Sequence, residues 1–142
     1  MEFITVEQFK EQPIEVQKVF LDWWKCDYGD LYYYNEDQLE YKDFEIVDNN
    51  LECDIEGDFD YFKSIGVIPI FTEGQLRKFI EDKIGCKYLE LIGDSGTNEY
   101  DLYCHKDIGS SRWECVFYNL GKDVLQAYWK VACAVAKEEI KQ

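Results

Sequence analysis

Three stretches in the second half of the chain decide the fold: Cys86-Lys87-Tyr88-Leu89-Glu90-Leu91-Ile92, Glu99-Tyr100-Asp101-Leu102-Tyr103-Cys104-His105 and Arg112-Trp113-Glu114-Cys115-Val116-Phe117-Tyr118. Each has the length of a strand and is bounded by turn-forming residues. Asp94-Ser95-Gly96-Thr97-Asn98 separates the first two, and Asp107-Ile108-Gly109-Ser110-Ser111 separates the second pair. Consecutive strands joined by short polar turns predict an antiparallel meander. A long helix is predicted next, from Asp123 or nearby to about Ile140. Its Val124, Tyr128, Val131 and Val135, flanked by Leu125, Trp129, Ala132 and Ala136, recur at helical spacing and form a broad apolar stripe.

On the N-terminal side of the meander, the apolar run Ile65–Phe71 ends at Thr72-Glu73-Gly74-Gln75. There a threonine N-cap and a glutamine three residues on form a capping box. A helix over Glu73–Ile84 follows, with Leu76, Phe79, Ile80 and Ile84 on one side and Gly85 placed to end it in the left-handed conformation. The chain opens on the same device, Thr5-Val6-Glu7-Gln8, predicting a short helix to about Glu11. Pro13 suits the first turn of a second helix to about Lys25, with Val16, Val19, Phe20, Trp23 and Trp24 as its apolar stripe.

Strands and helices are grouped rather than alternating, which predicts the α+β class. The expected architecture is an antiparallel sheet, a three-stranded meander plus an acidic hairpin, packed against N-terminal, middle and C-terminal helices. A single domain over residues 1–142 is expected, since 142 residues with 46% apolar and 17% aromatic content can bury a core.

The net charge of −15 is unevenly placed. Residues 1–26 hold five acids and three bases, and residues 61–142 hold twelve acids and eleven bases. Residues 27–60 hold thirteen acids and one base, Lys42. That segment therefore carries −12 and predicts an acidic face or loop. Within it, Asp43-Phe44-Glu45-Ile46-Val47 and Leu51-Glu52-Cys53-Asp54-Ile55-Glu56 alternate polar and apolar residues around Asp48-Asn49-Asn50, the pattern of a hairpin. Same-face residues on a strand repeat every ~6.8 Å, comparable with the path between successive phosphates of a nucleic-acid strand. The candidate partner-binding set is Asp43, Glu45, Asp48, Glu52, Asp54, Glu56, Asp58 and Asp60, with Tyr34 and Tyr41 beside them; Tyr32 and Tyr33 are further aromatics of the segment. Their chemistry fits a protein with a basic nucleic-acid groove. The same charge argues against direct binding to nucleic acid or to an anionic membrane, because phosphates would be repelled.

Other chemistry is poorly supported. Cys104 and His105, as neighbours on a strand, face opposite ways and cannot form a nucleophile pair. The six cysteines (26, 53, 86, 104, 115 and 133) lack paired metal-ligand spacing and are expected to stay reduced, several as small core residues. Asp54-Ile55-Glu56-Gly57-Asp58-Phe59-Asp60 puts glycine at the fourth position, where a calcium loop needs it at the sixth. No metal, cofactor or enzymatic activity is expected. A rival site remains: Arg112, Trp113, Tyr100 and Asn98, with the polar loops 93–98 and 109–112, would hold a nucleotide signal by backbone N–H groups and aromatic stacking. The start, Met1-Glu2-Phe3-Ile4-Thr5, lacks a basic n-region and a long apolar h-region, so a cytoplasmic location is expected.

Val6-Glu7-Gln8-Phe9 with Pro13, Val19-Phe20-Leu21-Asp22-Trp23-Trp24 and Pro69-Ile70-Phe71-Thr72-Glu73-Gly74-Gln75-Leu76 resemble stretches of small proteins encoded by phages and prophages of Firmicutes. The resemblance covers the first half and the middle helix and brings no catalytic motif. It implies an accessory protein acting against host defence, a class that includes anti-CRISPR inhibitors that mimic nucleic acid. The expectation is a non-enzymatic inhibitor of a host nuclease, with nucleotide sequestration as the alternative.

Overall fold

The computed structural model describes residues 2–25, 29–34, 45–46, 66–106 and 113–141. Among these residues the chain is α+β, with four helices and two antiparallel sheets of three strands each. The chain gathers into two compact units: Ile4–Phe71, and Thr72–Gln142 together with Met1–Phe3.

In the unit Ile4–Phe71, helix α1 (Val6–Lys10) begins at the Thr5 capping box. The Gln8 N–H donates to Thr5 Oγ1 at 3.1 Å, and the Thr5 N–H donates to Gln8 Oε1 at 3.0 Å. Helix α2 (Ile14–Trp23) starts after Pro13, which stands at the N-cap rather than inside the first turn. It stops two residues short of the predicted Lys25, because Trp24 turns to extended backbone. The Trp24 N–H still bonds the Phe20 carbonyl, while its indole Nε1–H donates to Asp30 Oδ2 at 3.0 Å. Of the predicted stripe, Val16, Phe20 and Trp24 are buried, and Val19 and Trp23 are half-buried. Phe20 is the hub of the aromatic core. Its ring lies 6.2 Å from that of Phe9 and 5.6 Å from that of Phe71, which also takes the Trp23 ring edge-on at 5.9 Å. Tilted pairs at such spacing add about 0.5–1.5 kcal/mol beyond their burial.

The sheet of this unit has the order β2–β1–β3, formed by β1 (Leu31–Tyr33), β2 (Glu45–Ile46) and β3 (Ile68–Pro69). Sequence reasoning missed β1 and β3. β1 is the central strand and all three of its residues are buried, so Tyr32 and Tyr33 belong to the core and do not present a binding surface. Pro69 has no N–H to give to a ladder, which suits its place on the edge strand β3. The remainder of the predicted hairpin, residues 43–44 and 47–56, lies outside the described residues.

In the second unit, α3 (Glu73–Ile84) begins at the Thr72 capping box and ends at Gly85, whose φ of 78° is left-handed. Strands β4 (Tyr88–Gly93), β5 (Tyr100–His105) and β6 (Trp113–Phe117) pair antiparallel in chain order. Helix α4 (Val124–Ile140) is capped by Asp123, whose Oδ1 accepts the Gln126 N–H at 2.8 Å. Leu125, Ala127, Tyr128, Trp129, Val131, Ala132, Cys133, Val135 and Ala136 are buried, so this helix is covered over more than one stripe. α4 packs against α3 and against β5. Buried Leu102, Cys104, Leu76, Phe79 and Ile80 belong to the core of this unit.

Candidate functional site

The acidic segment enters the described fold at two places. At its start, Asp30 accepts the Trp24 indole N–H, and β1 follows directly into the core. Further on, Leu31 pairs with Ile46 and Tyr32 with Glu45, so the backbone of Glu45 is held in ladder register beside a buried tyrosine. β1 bonds β3 on its other side, through Tyr32 opposite Pro69 and Tyr33 opposite Ile68. A segment with thirteen acids is thus tethered through a strand that is itself apolar and buried. Tyr34, the first residue after β1, is half-buried. Asp43, Asp48, Glu52, Asp54, Glu56, Asp58, Asp60 and Tyr41 lie outside the described residues.

Of the rival nucleotide site, the two aromatic positions stand apart. Tyr100 pairs with Gly93 at one end of β5, and Trp113 pairs with His105 at the other. Five residues of strand, about 17 Å, separate the two aromatic positions. The turn 94–98 and the residue after it already engage several of their N–H groups internally. The Gly96 N–H donates to Asp94 Oδ1 at 2.7 Å, the Asn98 N–H to the Asp94 carbonyl at 2.7 Å, and the Glu99 N–H to Thr97 Oγ1 at 3.2 Å. A carboxylate already occupies the turn, and it would repel a second anion. Asn98 supplies the left-handed residue this closure needs, with φ of 59°. Arg112 lies outside the described residues.

Two groupings escaped sequence reasoning. The first surrounds His105, which is 7% exposed and stacks on Tyr88 with ring centroids 4.4 Å apart. Its Nε2 is 3.7 Å from Glu90 Oε2, too far for a hydrogen bond. Neither ring nitrogen has a hydrogen-bond partner among the described residues. As expected from strand alternation, Cys104 is not its neighbour in chemistry. The second grouping is a set of thiols on the other side of the sheet. Cys104 stands directly opposite Cys115 across β5 and β6, and Cys86 approaches Cys104 from the start of β4. Burial first, then contact with the Cys115 and Cys86 thiols, pushes the Cys104 thiol far up from its ordinary value. Burial first, then the Glu81 carboxylate, also pushes Cys86 up. Cys115 lines a cleft of about 420 Å³ together with Ile84, Phe117, Val135, Lys83 and Glu139. Lys83 Nζ and Glu139 Oε1 are 2.9 Å apart. The strand pattern put all three thiols in sight, but which ones meet depends on a pairing register that no local signal supplies.

Among the described residues, Cys86, Cys104, Cys115 and Cys133 are free thiols, and no cluster of His, Cys, Asp and Glu is arranged to hold a metal ion. No helix among them is long and apolar enough to cross a membrane. Comparison with protein-family models, with curated proteins and with solved structures gives no match.

Proposed function

We propose that the chain is a non-enzymatic, phage-encoded inhibitor of a host defence nuclease, anti-CRISPR-like in action, which occupies a basic nucleic-acid groove as a nucleic-acid mimic. One observation carries this reading: thirteen carboxylates against one lysine within residues 27–60, between flanks that are nearly neutral. A charge kept for solubility alone has no reason to concentrate in a quarter of the chain. The contact surface is an acidic hairpin bearing Asp43, Glu45, Glu52, Asp54 and Glu56 on one face, with Asp48, Asp58, Asp60, Tyr34 and Tyr41 around it. Ladder pairing of Glu45 and Ile46 to β1 supports it by tying the segment to a buried strand. Rows of carboxylates steer the approach to a basic groove, and aromatics that lose water on contact supply affinity.

The test is DNA cleavage by a panel of purified RNA-guided nucleases, whose nucleic-acid channels are positively charged. The wild-type chain is expected to inhibit at least one of them, more weakly as salt rises. Replacing Glu45, Glu52, Asp54 and Glu56 together by Ser should abolish inhibition while the circular dichroism spectrum stays unchanged. Inhibition by that variant equal to wild type, or no inhibition across the panel at low salt, would overturn the proposal.

A further inference from the structure

The pairing of Cys104 with Cys115 has a chemical consequence separate from the acidic segment. Directly opposed residues in an antiparallel ladder have Cα atoms about 4.5–5.5 Å apart and side chains on the same face. A disulfide spans Cα separations of about 4.4–6.8 Å, so the backbone already satisfies it. Immediately beyond this pair the register shifts: His105 pairs with Trp113, leaving one extra residue, Glu114, on β6. Such a bulge loosens the ladder locally and gives the two strands room to adjust.

The two thiols differ in access. Cys104 is fully buried, whereas Cys115 is partly exposed and lines the cleft of about 420 Å³. The rest of its lining is apolar at Ile84, Phe117 and Val135 and charged at Glu138 and at the Lys83–Glu139 ion pair. A small molecule at the cleft therefore meets Cys115 and not Cys104.

We propose that Cys115 is a modification site for low-molecular-weight disulfides, with Cys104 as the resolving thiol. The Cys115 thiolate attacks one sulfur of the small disulfide, forms a mixed disulfide and expels one thiolate, which takes up the proton that Cys115 released. Cys104 then loses its proton and attacks Cys115 Sγ, forming the Cys104–Cys115 bond and releasing the second small thiol. The chain loses two electrons and two protons, and the small disulfide gains both. Protonated and shielded in its reduced state, Cys104 does not initiate, which orders the two steps. Cys86, lying beside Cys104 and not opposite Cys115, is left reduced.

The experiment uses the full chain with oxidised glutathione at mildly alkaline pH, alkylation of remaining thiols, and peptide mass mapping without reduction. The expected product is a peptide pair joined through Cys104 and Cys115, two hydrogens lighter than its separate parts. In Cys104→Ala, glutathione should instead remain on Cys115, and in Cys115→Ser the link should be lost. The wild-type map stands alone even if a variant fails to fold. A link from Cys86, or glutathione appearing on buried Cys133 as fast as on Cys115, would overturn the assignment, as would a folded chain with Cys115 unmodified.

Discussion

The imidazole of His105 lies flat against the phenol ring of Tyr88, with centroids 4.4 Å apart and planes 5° from parallel. The ring is used here as a buried plate, since neither nitrogen has a hydrogen-bond partner among the described residues. An unsatisfied buried polar group costs about 1–3 kcal/mol, whereas an apolar ring of similar shape avoids that cost. His105→Phe is therefore expected to leave stability unchanged or raise it by about 1 kcal/mol in urea unfolding. His105→Ala, which removes the stacking surface, should lower it by about 3 kcal/mol. Equal losses in the two variants would mean that the nitrogens carry a hydrogen bond essential to the fold.

Gly74 and Gly85 lie at opposite ends of one helix and should respond to alanine with opposite signs. Gly74 is in the first turn of α3, and a Cβ there would meet nothing within 4 Å. Alanine fits that position and removes unfolded-state freedom, so Gly74→Ala should add about 0.5–1 kcal/mol. Gly85 has φ of 78°, where a Cβ is strained even in open space. Gly85→Ala should cost about 1 kcal/mol, measured by the same denaturant titration. A stabilising Gly85→Ala would mean that the helix end relaxes to another conformation.

The contrast between these glycines shows which parts of the fold were legible. Capping boxes at Thr5 and Thr72, the left-handed Gly85 and the Asp123 cap are local devices, complete within a few residues of sequence. They could be read directly, and with them the α+β grouping. β1 and β3 could not. Leu31-Tyr32-Tyr33 and Ile68-Pro69 are too short to show a period, and their pairing spans more than thirty residues of chain. Trp24 ended α2 early for a similar reason, its indole being drawn to Asp30. At the candidate site, charge clustering was visible in composition, but the separation of Tyr100 from Trp113 and the meeting of Cys104 with Cys115 depend on register. That register shifts between Cys104 and His105, and no turn residue marks the place.

Concentrated charge makes stability sensitive to salt. Thirteen acids crowded into residues 27–60 repel one another, and screening relieves the repulsion. Raising the salt from about 0.01 M to about 0.1 M shortens the screening length from about 30 Å to about 10 Å. The wild-type Tm should rise over that range. The variant with Ser at positions 45, 52, 54 and 56 should start from a higher Tm at low salt and rise less. Differential scanning calorimetry at the two salt levels gives both slopes. Parallel slopes would mean that the acids are far enough apart to act independently.

Alkaline pH should destabilise the fold through its buried thiols. Burial pushes the Cys133 thiol up to about 12, from an ordinary value of 9.0, and Lys137 only partly offsets the effect. Burial also raises Cys86, Cys104 and the Tyr128 phenol. Above pH 9.0 an unfolded Cys133 gives up its proton, while the folded one retains it until about pH 12. In that window the folded state binds more protons, so linkage makes stability fall as pH rises. Below the unfolded value the contribution is fully present. The steepest slope a single thiol can impose is about 1.4 kcal/mol per pH unit. Urea unfolding at successive pH values above 8 should therefore show a declining stability, with several thiols acting together. Cys133→Ala should flatten the decline by up to the slope of one group, at the cost of a small constant loss from the missing sulfur. A decline equally steep in that variant would show that Cys133 ionises as readily in the folded chain as in the unfolded one, and that its burial is breached before the fold is lost.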